Sequence, residues 1–441
     1  MNISKKVLSL ILSVCMIALT VTSCGTATTS PTSDSTSSTS VSSTTSSNAE
    51  KTVVEFWHSQ GGKNGELIDQ MAKDFNATHP DIEVVPTYQG GYWEAAAKAQ
   101  AAVSAGENPD ILMMGADHVS IFAQEDGLLA DLKPYMAKSG IDDKDFVDAF
   151  IWDYYVNDKL IALPFGRSTP ILFVNNDLLK KANQTVPTNW DELSAVSNEI
   201  VKSGTAEYGL AIPGNDTWYW FMIVAQAGGK FINAEQTGLG GIADGTMETG
   251  FKYYQDLNKS GAMYFGPVTD SNTTCRQLFL DGKTAMFITS VGNMATIKST
   301  ATFDWQAAYV PRGKEQVVPT GGCSVVMMES SKNKDAAWEF MKWVIEDPKG
   351  GLSFVLGTGY LPYTYSMSKT KEIQDLWASD KNYRTAFEQL EFASDKGHRT
   401  PKIGTILNEI LSCVEAIMYD HQDVKTQLDI LDKAVTDIMG N

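Results

Sequence analysis

Apolar and polar positions change period several times along this chain, and the changes mark out elements. Thr52–Trp57 (T-V-V-E-F-W) is β-branched and aromatic and predicts a strand. Leu67, Ile68, Met71 and Phe75 then recur at helical spacing, predicting a helix over Gly65–Asn76 that Pro80 brings to an end. Ile82–Tyr88 predicts a second strand, the alanine-rich stretch Tyr92–Ala105 a second helix, and Ile111–Met114 a short apolar third strand entered through Pro109-Asp110. Strand, helix, strand, helix, strand over about sixty residues is the start of a doubly wound α/β fold with a parallel sheet. Further on, Leu160–Phe165 and Ile171–Val174 read as extended. Asn189–Val201 reads as a helix, with Asp191 and Glu192 in its first turn where the helix dipole favours acids. Trp338–Ile345 is a further predicted helix. Asn408–Met439 predicts two in succession, on Ile410, Leu411, Val414, Ile417 and Met418 and then on Leu428, Leu431, Val435 and Ile438. No internal repeat of solenoid length is present.

The first residues follow a different logic. Lys5 and Lys6 precede an uncharged run, Val7–Val21, and small residues lead to Cys24. A basic start, an apolar middle and a small-residue cleavage site make an export signal over residues 1–23. The apolar run, about fifteen residues, is short of the roughly 20 that span a bilayer as a helix. Val21 and Ser23 stand at minus three and minus one from Cys24, and the segment resembles a bacterial lipobox, in which the cysteine is lipidated and becomes the new N-terminus. A plain secretory signal with a chance cysteine, or an uncleaved anchor helix, stays open. Residues 24–51 are almost all Ser, Thr, Ala and Pro at first, with no apolar period to offset ordering entropy. As a random-coil tether they would reach about 25–30 Å. The expected location is therefore the outer face of the cytoplasmic membrane, held there by the lipid on Cys24.

Charge and cysteine content narrow the partners. The formal charge is −18, and loss of a signal with two lysines and no acid brings it to about −20. So acidic a chain lacks the basic footprint that nucleic acid requires, and it gives anionic lipid no reason to hold it without a covalent anchor. About 390 residues follow the tether, enough for two globular units. Aromatics are plentiful, with 10 Trp, 16 Tyr and 18 Phe; most should pack in the core, but ten Trp is more than packing usually requires, so some should line a site. Cys275, Cys323 and Cys413 are far apart and odd in number, which predicts buried free thiols rather than a disulfide framework. A monomer is expected.

Catalytic signatures are missing from the sequence. The five histidines are scattered, and there is no H-E-x-x-H, metal-spaced Cys/His cluster, G-x-S-x-G elbow or Walker loop. Gly238–Ala243 fits G-x-G-x-x-A, but a polar turn precedes it where the dinucleotide motif needs a strand, so it reads as a loop feeding a helix at Met247–Leu257. Asp142, Asp143, Asp145 and Asp148 lack the glycine and glutamate of a calcium loop and read as a solvated helix start. Paired carboxylates of a glycoside hydrolase leave no trace in sequence, so that alternative stays open.

Several segments, taken in order, carry a resemblance: Val54–Ser59 (V-E-F-W-H-S), Phe75-Asn76-Ala77, Val84–Tyr92 (V-V-P-T-Y-Q-G-G-Y), Pro109–Leu112, Pro164–Pro170 leading to Asn175, Gly321-Gly322 and Thr358–Pro362 (T-G-Y-L-P). From about Val53 onward the chain resembles the extracellular solute-binding proteins of bacterial ABC importers, in the branch that takes sugars and sn-glycerol 3-phosphate. The resemblance implies a periplasmic-binding-protein-like α/β fold of two lobes with a cleft between them, joined by crossing hinge strands. Residues 52–167 and 291–347 would form one lobe, and 168–290 and 348–441 the other. It implies no catalysis and no cofactor. The ligand would be captured by lobe closure and delivered to the transmembrane permease of the importer, although a sensory subunit would share the same cleft.

Matched position by position, the ligand-binding residues would include Tyr92, Ser168, Ser290, Gly322 and Tyr360, with Trp218 and Trp220 of the D-T-W-Y-W cluster as candidates to stack on a sugar face. Two departures bear on the ligand. Where phosphate-binding relatives carry an acid after the third strand, Ala116 stands here with Asp117 next to it, an arrangement that resembles maltose-type binders. Where they use an arginine near the C-terminus, the nearest match is Lys402, with Arg399 before it; Arg167 is another candidate cation. Both departures favour a neutral sugar or oligosaccharide over glycerol 3-phosphate or a glycerophosphodiester.

Overall fold

A computed structural model describes residues 51–440, apart from 124–126, 215, 267–270, 395–399 and 401 and the side chain of Asp117. The expected signal, Cys24, most of the tether and Arg399 lie outside the described residues. Two five-stranded sheets organise the rest.

The first sheet begins as the sequence pattern predicts. Strand β1 (Thr52–His58) is followed by α1 (Gly62–Thr78), β2 (Ile82–Tyr88), α2 (Tyr92–Ala105) and β3 (Ile111–Gly115). β1 pairs in parallel with β2 and with β3, giving the order β2-β1-β3 of a doubly wound start. Helix α1 buries Ile68, Met71, Ala72 and Phe75, a single stripe. Helix α2 buries only alanines, Ala95, Ala96 and Ala99, whose small size lets it lie close over β3. All five residues of β3 are buried, which is why it reads as a continuous apolar run instead of an alternation. Asp110, just before β3, accepts a hydrogen bond from the Glu55 amide (2.9 Å) and ties β3 to β1.

From here the chain leaves the simple pattern. β4 (Leu163–Ser168) belongs to the first sheet and β5 (Pro170–Asn175) to the second, with Thr169 alone between them. The second sheet adds β6 (Tyr208–Ile212), β7 (Met263–Phe265), β8 (Thr284–Ser290) and β9 (Trp305–Ala308), in the order β9-β5-β8-β6-β7. The chain then returns through β10 (Gly321–Met327), which runs antiparallel to both β3 and β4 and completes the first sheet as β2-β1-β3-β10-β4. The crossing segments are bonded to each other. The Thr169 hydroxyl donates to the Pro319 carbonyl (3.0 Å) and the Val291 amide donates to the Thr169 carbonyl (3.1 Å).

Helices α3 (Trp218–Gln226), α4 (Thr246–Lys259), α5 (Ile403–Met418) and α6 (Val424–Gly440) share one apolar core with a face of the second sheet. The expected partition is broken in more than one place. Trp305–Ala308 pairs with β5 in the second sheet, the helix Ser353–Thr358 packs against α1, and the stretch that follows stays with the first core, where the Val147 amide donates to the Tyr363 carbonyl (3.0 Å). Cys275, Cys323 and Cys413 are free and buried, as expected of thiols in a core of this size. The segment Gly238–Ala243 does lead into α4, and the acids at 142–145 form a short 3-10 turn in which Asp142 caps the Lys144 amide.

Candidate functional site

The ends of β3, β4 and β8, the start of β10 and the first turns of α2 and α3 meet at one place. In α/β sheets this edge, beyond the carboxyl ends of the parallel strands, is where backbone diverges and leaves a crevice. A cavity of about 510 Å³ opens there. Gly91, Tyr92, Trp93 and Glu94 line it from α2, Gly115, Ala116 and His118 from the end of β3, and Ser168 from β4. Asp216, Thr217 and Trp218 enter from the start of α3, Ser290 from β8, Gly321 and Gly322 from β10, and Tyr360 and Leu407 from later segments. Both sheets therefore supply walls, and the volume is within the roughly 300–1,000 Å³ of small-molecule sites.

The wall chemistry is aromatic and hydroxylic. Trp218 is almost buried, at 6% exposure, and its indole N–H, beside the Tyr219 hydroxyl, has no well-formed hydrogen bond among the described residues. Gly321 lies against that indole: a Cβ there would stand 2.8 Å from Trp218 Cζ3. Gly322, with φ +89°, is where β10 bulges, and a Cβ there would fall 2.0 Å from the Gly166 carbonyl oxygen. The Ser290 hydroxyl accepts from the Gly292 amide (3.1 Å), so its proton is left to donate.

Behind the wall, the Gln60 amide donates to the Tyr92 hydroxyl (2.9 Å) and lies 3.6 Å from Cys323 Sγ, while the Asn64 amide donates to Gln60 Oε1 (3.2 Å). Burial raises the pKa of Tyr92 and of Tyr360 well above that of free tyrosine, with Cys323 and the neighbouring phenol adding to the effect at Tyr92. Burial likewise pushes the Cys323 thiol up to about 11. These groups are neutral donors and acceptors at any physiological pH. Of the acids on the rim, Glu94 pairs in solvent with Lys98 (2.8 Å) and Asp216 accepts from the Trp218 amide (3.2 Å).

Six of the expected residues thus share one cavity: Tyr92, Ser168, Trp218, Ser290, Gly322 and Tyr360. Others sit elsewhere for geometric reasons. Arg167 precedes Ser168 on β4, and successive strand residues face opposite ways. It is fully buried, donating to the Tyr154 hydroxyl (2.8 Å) and to Thr320 Oγ1 (3.0 Å) with its guanidinium over the Phe150 ring. Trp220 is two residues from Trp218 on α3, which places it on another helix face; it packs against Phe251, Tyr254 and Phe265 with no exposure. Lys402 lines a neighbouring cavity of about 490 Å³ that shares Ala116 with the first. The side chain of Asp117 lies outside the described residues.

Trp93, Glu94, Asp216 and Leu407 were not foreseen. Trp93 and Asp216 are sequence neighbours of Tyr92 and Trp218 and could have been drawn in with them, whereas nothing in the sequence singles out Leu407.

Comparison with known proteins agrees with this architecture. Residues 70–382 match the family model described as bacterial extracellular solute-binding protein. The sn-glycerol-3-phosphate-binding periplasmic protein UgpB of Yersinia pseudotuberculosis serotype I is 27% identical over 393 residues, covering 82% of this chain and 87% of that protein. Among solved structures, the GacH receptor of Streptomyces glaucescens GLA.O, known unliganded and with acarbose, superposes with a TM-score of 0.79 at 22% identity, over 89% of this chain and 99% of the receptor. UgpB of Mycobacterium tuberculosis, in complex with glycerophosphocholine, gives 0.78 at 23% identity, over 88% and 98%. These neighbours share the two-lobed α/β fold with a cleft between the lobes. With the family model spanning most of its length, this chain belongs to the bacterial extracellular solute-binding proteins.

Proposed function

We propose that the chain is the substrate-binding protein of an ABC importer and that it captures a neutral sugar or oligosaccharide in the cavity around Trp218. The observation that carries the ligand class is the lining itself. Among its described residues the fully charged side chains are acids, Glu94 and Asp216, and none is lysine or arginine. Among the described lining residues an anion would meet two acids, aromatic rings and hydroxyls, and Lys98, which pairs with Glu94, is not part of the lining. A sugar would lay its C–H face on Trp218 and pair its hydroxyls with Tyr92, Ser168, Ser290, Tyr360 and the backbone at Gly322. Arg167 is spent inside the fold, and Trp220 in the core.

Residues 52–167 and 291–347 would act as one lobe and 168–290 and 348–441 as the other, except that Trp305–Ala308 is lent to the second sheet and residues 353–367 pack in the core of the first lobe. Ligand touching walls from both would favour closure, because only the closed form makes both sets of contacts. The closed protein would engage the permease. Lipid on Cys24 would hold the monomer at the outer face of the cytoplasmic membrane through the 24–51 tether. This reading has the protein bind and release its ligand intact, as a binding protein and not an anchored hydrolase.

A glycerol-phosphate or glycerophosphodiester ligand is the second reading. Lys402, in the cavity that adjoins the first at Ala116, is the observation that favours it, along with the names of the curated relatives.

Calorimetric titration of the purified protein separates the two. The panel is maltose, cellobiose, their longer oligomers, glycerol 3-phosphate and glycerophosphocholine, each repeated with Trp218→Ala. Saturable binding of a neutral sugar, lost in the variant, is expected. Binding confined to the phosphorylated ligands would overturn the sugar reading, and ligand consumed after saturation would show an enzyme.

A further inference from the structure

Two indoles line the cavity, and they sit at different depths. Trp218, from the second core, is 6% exposed; Trp93, on the first turn of α2, is 44% exposed. Trp218 is the proposed inner platform, and Trp93 has no packing role that would require its exposure. An indole so open is an expensive surface feature, since hiding it from water would be favourable.

Trp93 is also held in place. The His118 ring packs beside it with centroids 4.0 Å apart and a 55° tilt. On another side the first turn of α5 passes close by at Gly404. A Cβ at Gly404 would stand 3.6 Å from Trp93 Cζ3 and 3.1 Å from Ile121 Cδ1. That helix therefore approaches the indole without a side chain covering it, and Leu407 one turn on lines the same cavity. A supported aromatic ring with part of its surface open to a ligand cavity is a stacking surface.

We infer that Trp93 is a second sugar platform, at the mouth of the cleft, so that the ligand has at least two linked rings, the inner one on Trp218 and the outer one on Trp93. This rests on the sugar reading of the cavity and adds the length of the ligand and the residue that reads it. A cavity of about 510 Å³ has room for more than one pyranose ring. A single ring held on buried Trp218 would leave Trp93 as wet as it is now; a second ring would cover it.

The test is titration of wild type, Trp93→Ala and Trp93→Phe with glucose, maltose and maltotriose and with cellobiose and cellotriose. Thermal melts check that each variant is folded. In the wild type a disaccharide should bind more tightly than the monosaccharide. Trp93→Ala should remove about two- to tenfold from the affinity for two rings, the worth of one aromatic contact, while changing monosaccharide affinity less than about twofold. Trp93→Phe should keep part of the gain. Equal loss for every chain length would overturn the inference, because it would make Trp93 a contact that closes the lobes against Gly404. No loss at any length would overturn it too. If the wild type binds none of these sugars, the sugar reading itself fails, which is a different result from binding that ignores Trp93.

Discussion

Gly321 and Gly322 are adjacent, yet a methyl group at each should damage different properties. At Gly321 the new Cβ would meet Trp218 Cζ3 at 2.8 Å and Cε3 at 3.0 Å. Carbon atoms settle near 3.5 Å, so the indole must retreat by about 0.7 Å. Trp218 begins a helix whose other side chains are mostly buried, so its soft direction is into the cavity. Overpacking of this kind costs about 1–3 kcal/mol when nothing gives, and less when a side chain can swing away. Gly321→Ala should therefore keep most of its stability and lose the stacking surface, weakening ligand binding by roughly two- to tenfold.

At Gly322 the Cβ would fall 2.0 Å from the Gly166 carbonyl oxygen, a backbone atom that cannot swing, and φ is +89°. Backbone strain of about 1–3 kcal/mol adds to a clash that forces β10 away from β4. Gly322→Ala should lower the melting temperature by several degrees, at about 2 °C per kcal/mol for a large chain. The assay is calorimetric titration beside thermal unfolding of both variants. If Gly321→Ala binds every ligand as the wild type does, Trp218 is not the platform. If Gly322→Ala melts like the wild type, the bulge is not the constraint described here.

Further outcomes follow from buried groups. His58 is 2% exposed, and desolvation, partly offset by Asp69 and the Gln60 backbone, lowers its pKa below 6.5. The unfolded chain then binds the proton more readily than the folded one. Stability from this group is complete above about pH 6.5 and is lost as pH falls from there towards the folded pKa. His58→Gln should flatten the pH dependence of chemical denaturation in that window, and an unchanged slope would refute the assignment. Arg167→Met removes the guanidinium bonds to the Tyr154 and Thr320 hydroxyls, worth about 1.5–3 kcal/mol each as hydrogen bonds to a charged group, while Tyr154 keeps Ser324 and Thr320 keeps the Ala149 carbonyl as partners. It should lower the denaturation midpoint without changing which ligand binds; a switch in ligand preference would return Arg167 to the site. Cys275 and Cys413, with thiols pushed up to about 12, and Cys323 at about 11 should resist a thiol reagent until the protein unfolds, and labelling of the native protein would contradict their burial.

How far this was legible in the sequence depends on the element. β1 to β3 and their two helices could be read because each helix or strand carries one clear period or one apolar run. The helix Trp218–Gln226 could not, since it is buried all round and W-Y-W-F-M-I-V-A has no polar face to set a phase. β8 and β10 were equally hidden, as central strands whose partners, β5 and β6 or β3 and β4, lie far away in sequence. Six residues that line the cavity are ones to which the family resemblance points. Arg167 and Trp220 failed because resemblance and residue type do not report which way a side chain faces. Strand alternation at Arg167-Ser168 and helix rotation at Trp218-Trp220 carried that information. Trp93 was passed over because, from sequence, an exposed aromatic looks the same as a core one.

The most direct test of the account is a crystal structure of the protein saturated with the sugar that titrates most tightly. The account predicts sugar between the two sheets, with one ring on Trp218 and hydroxyls at Ser168, Ser290, Tyr360 and the Gly322 backbone. Sugar bound elsewhere, or in the Lys402 cavity with Trp218 untouched, would contradict it.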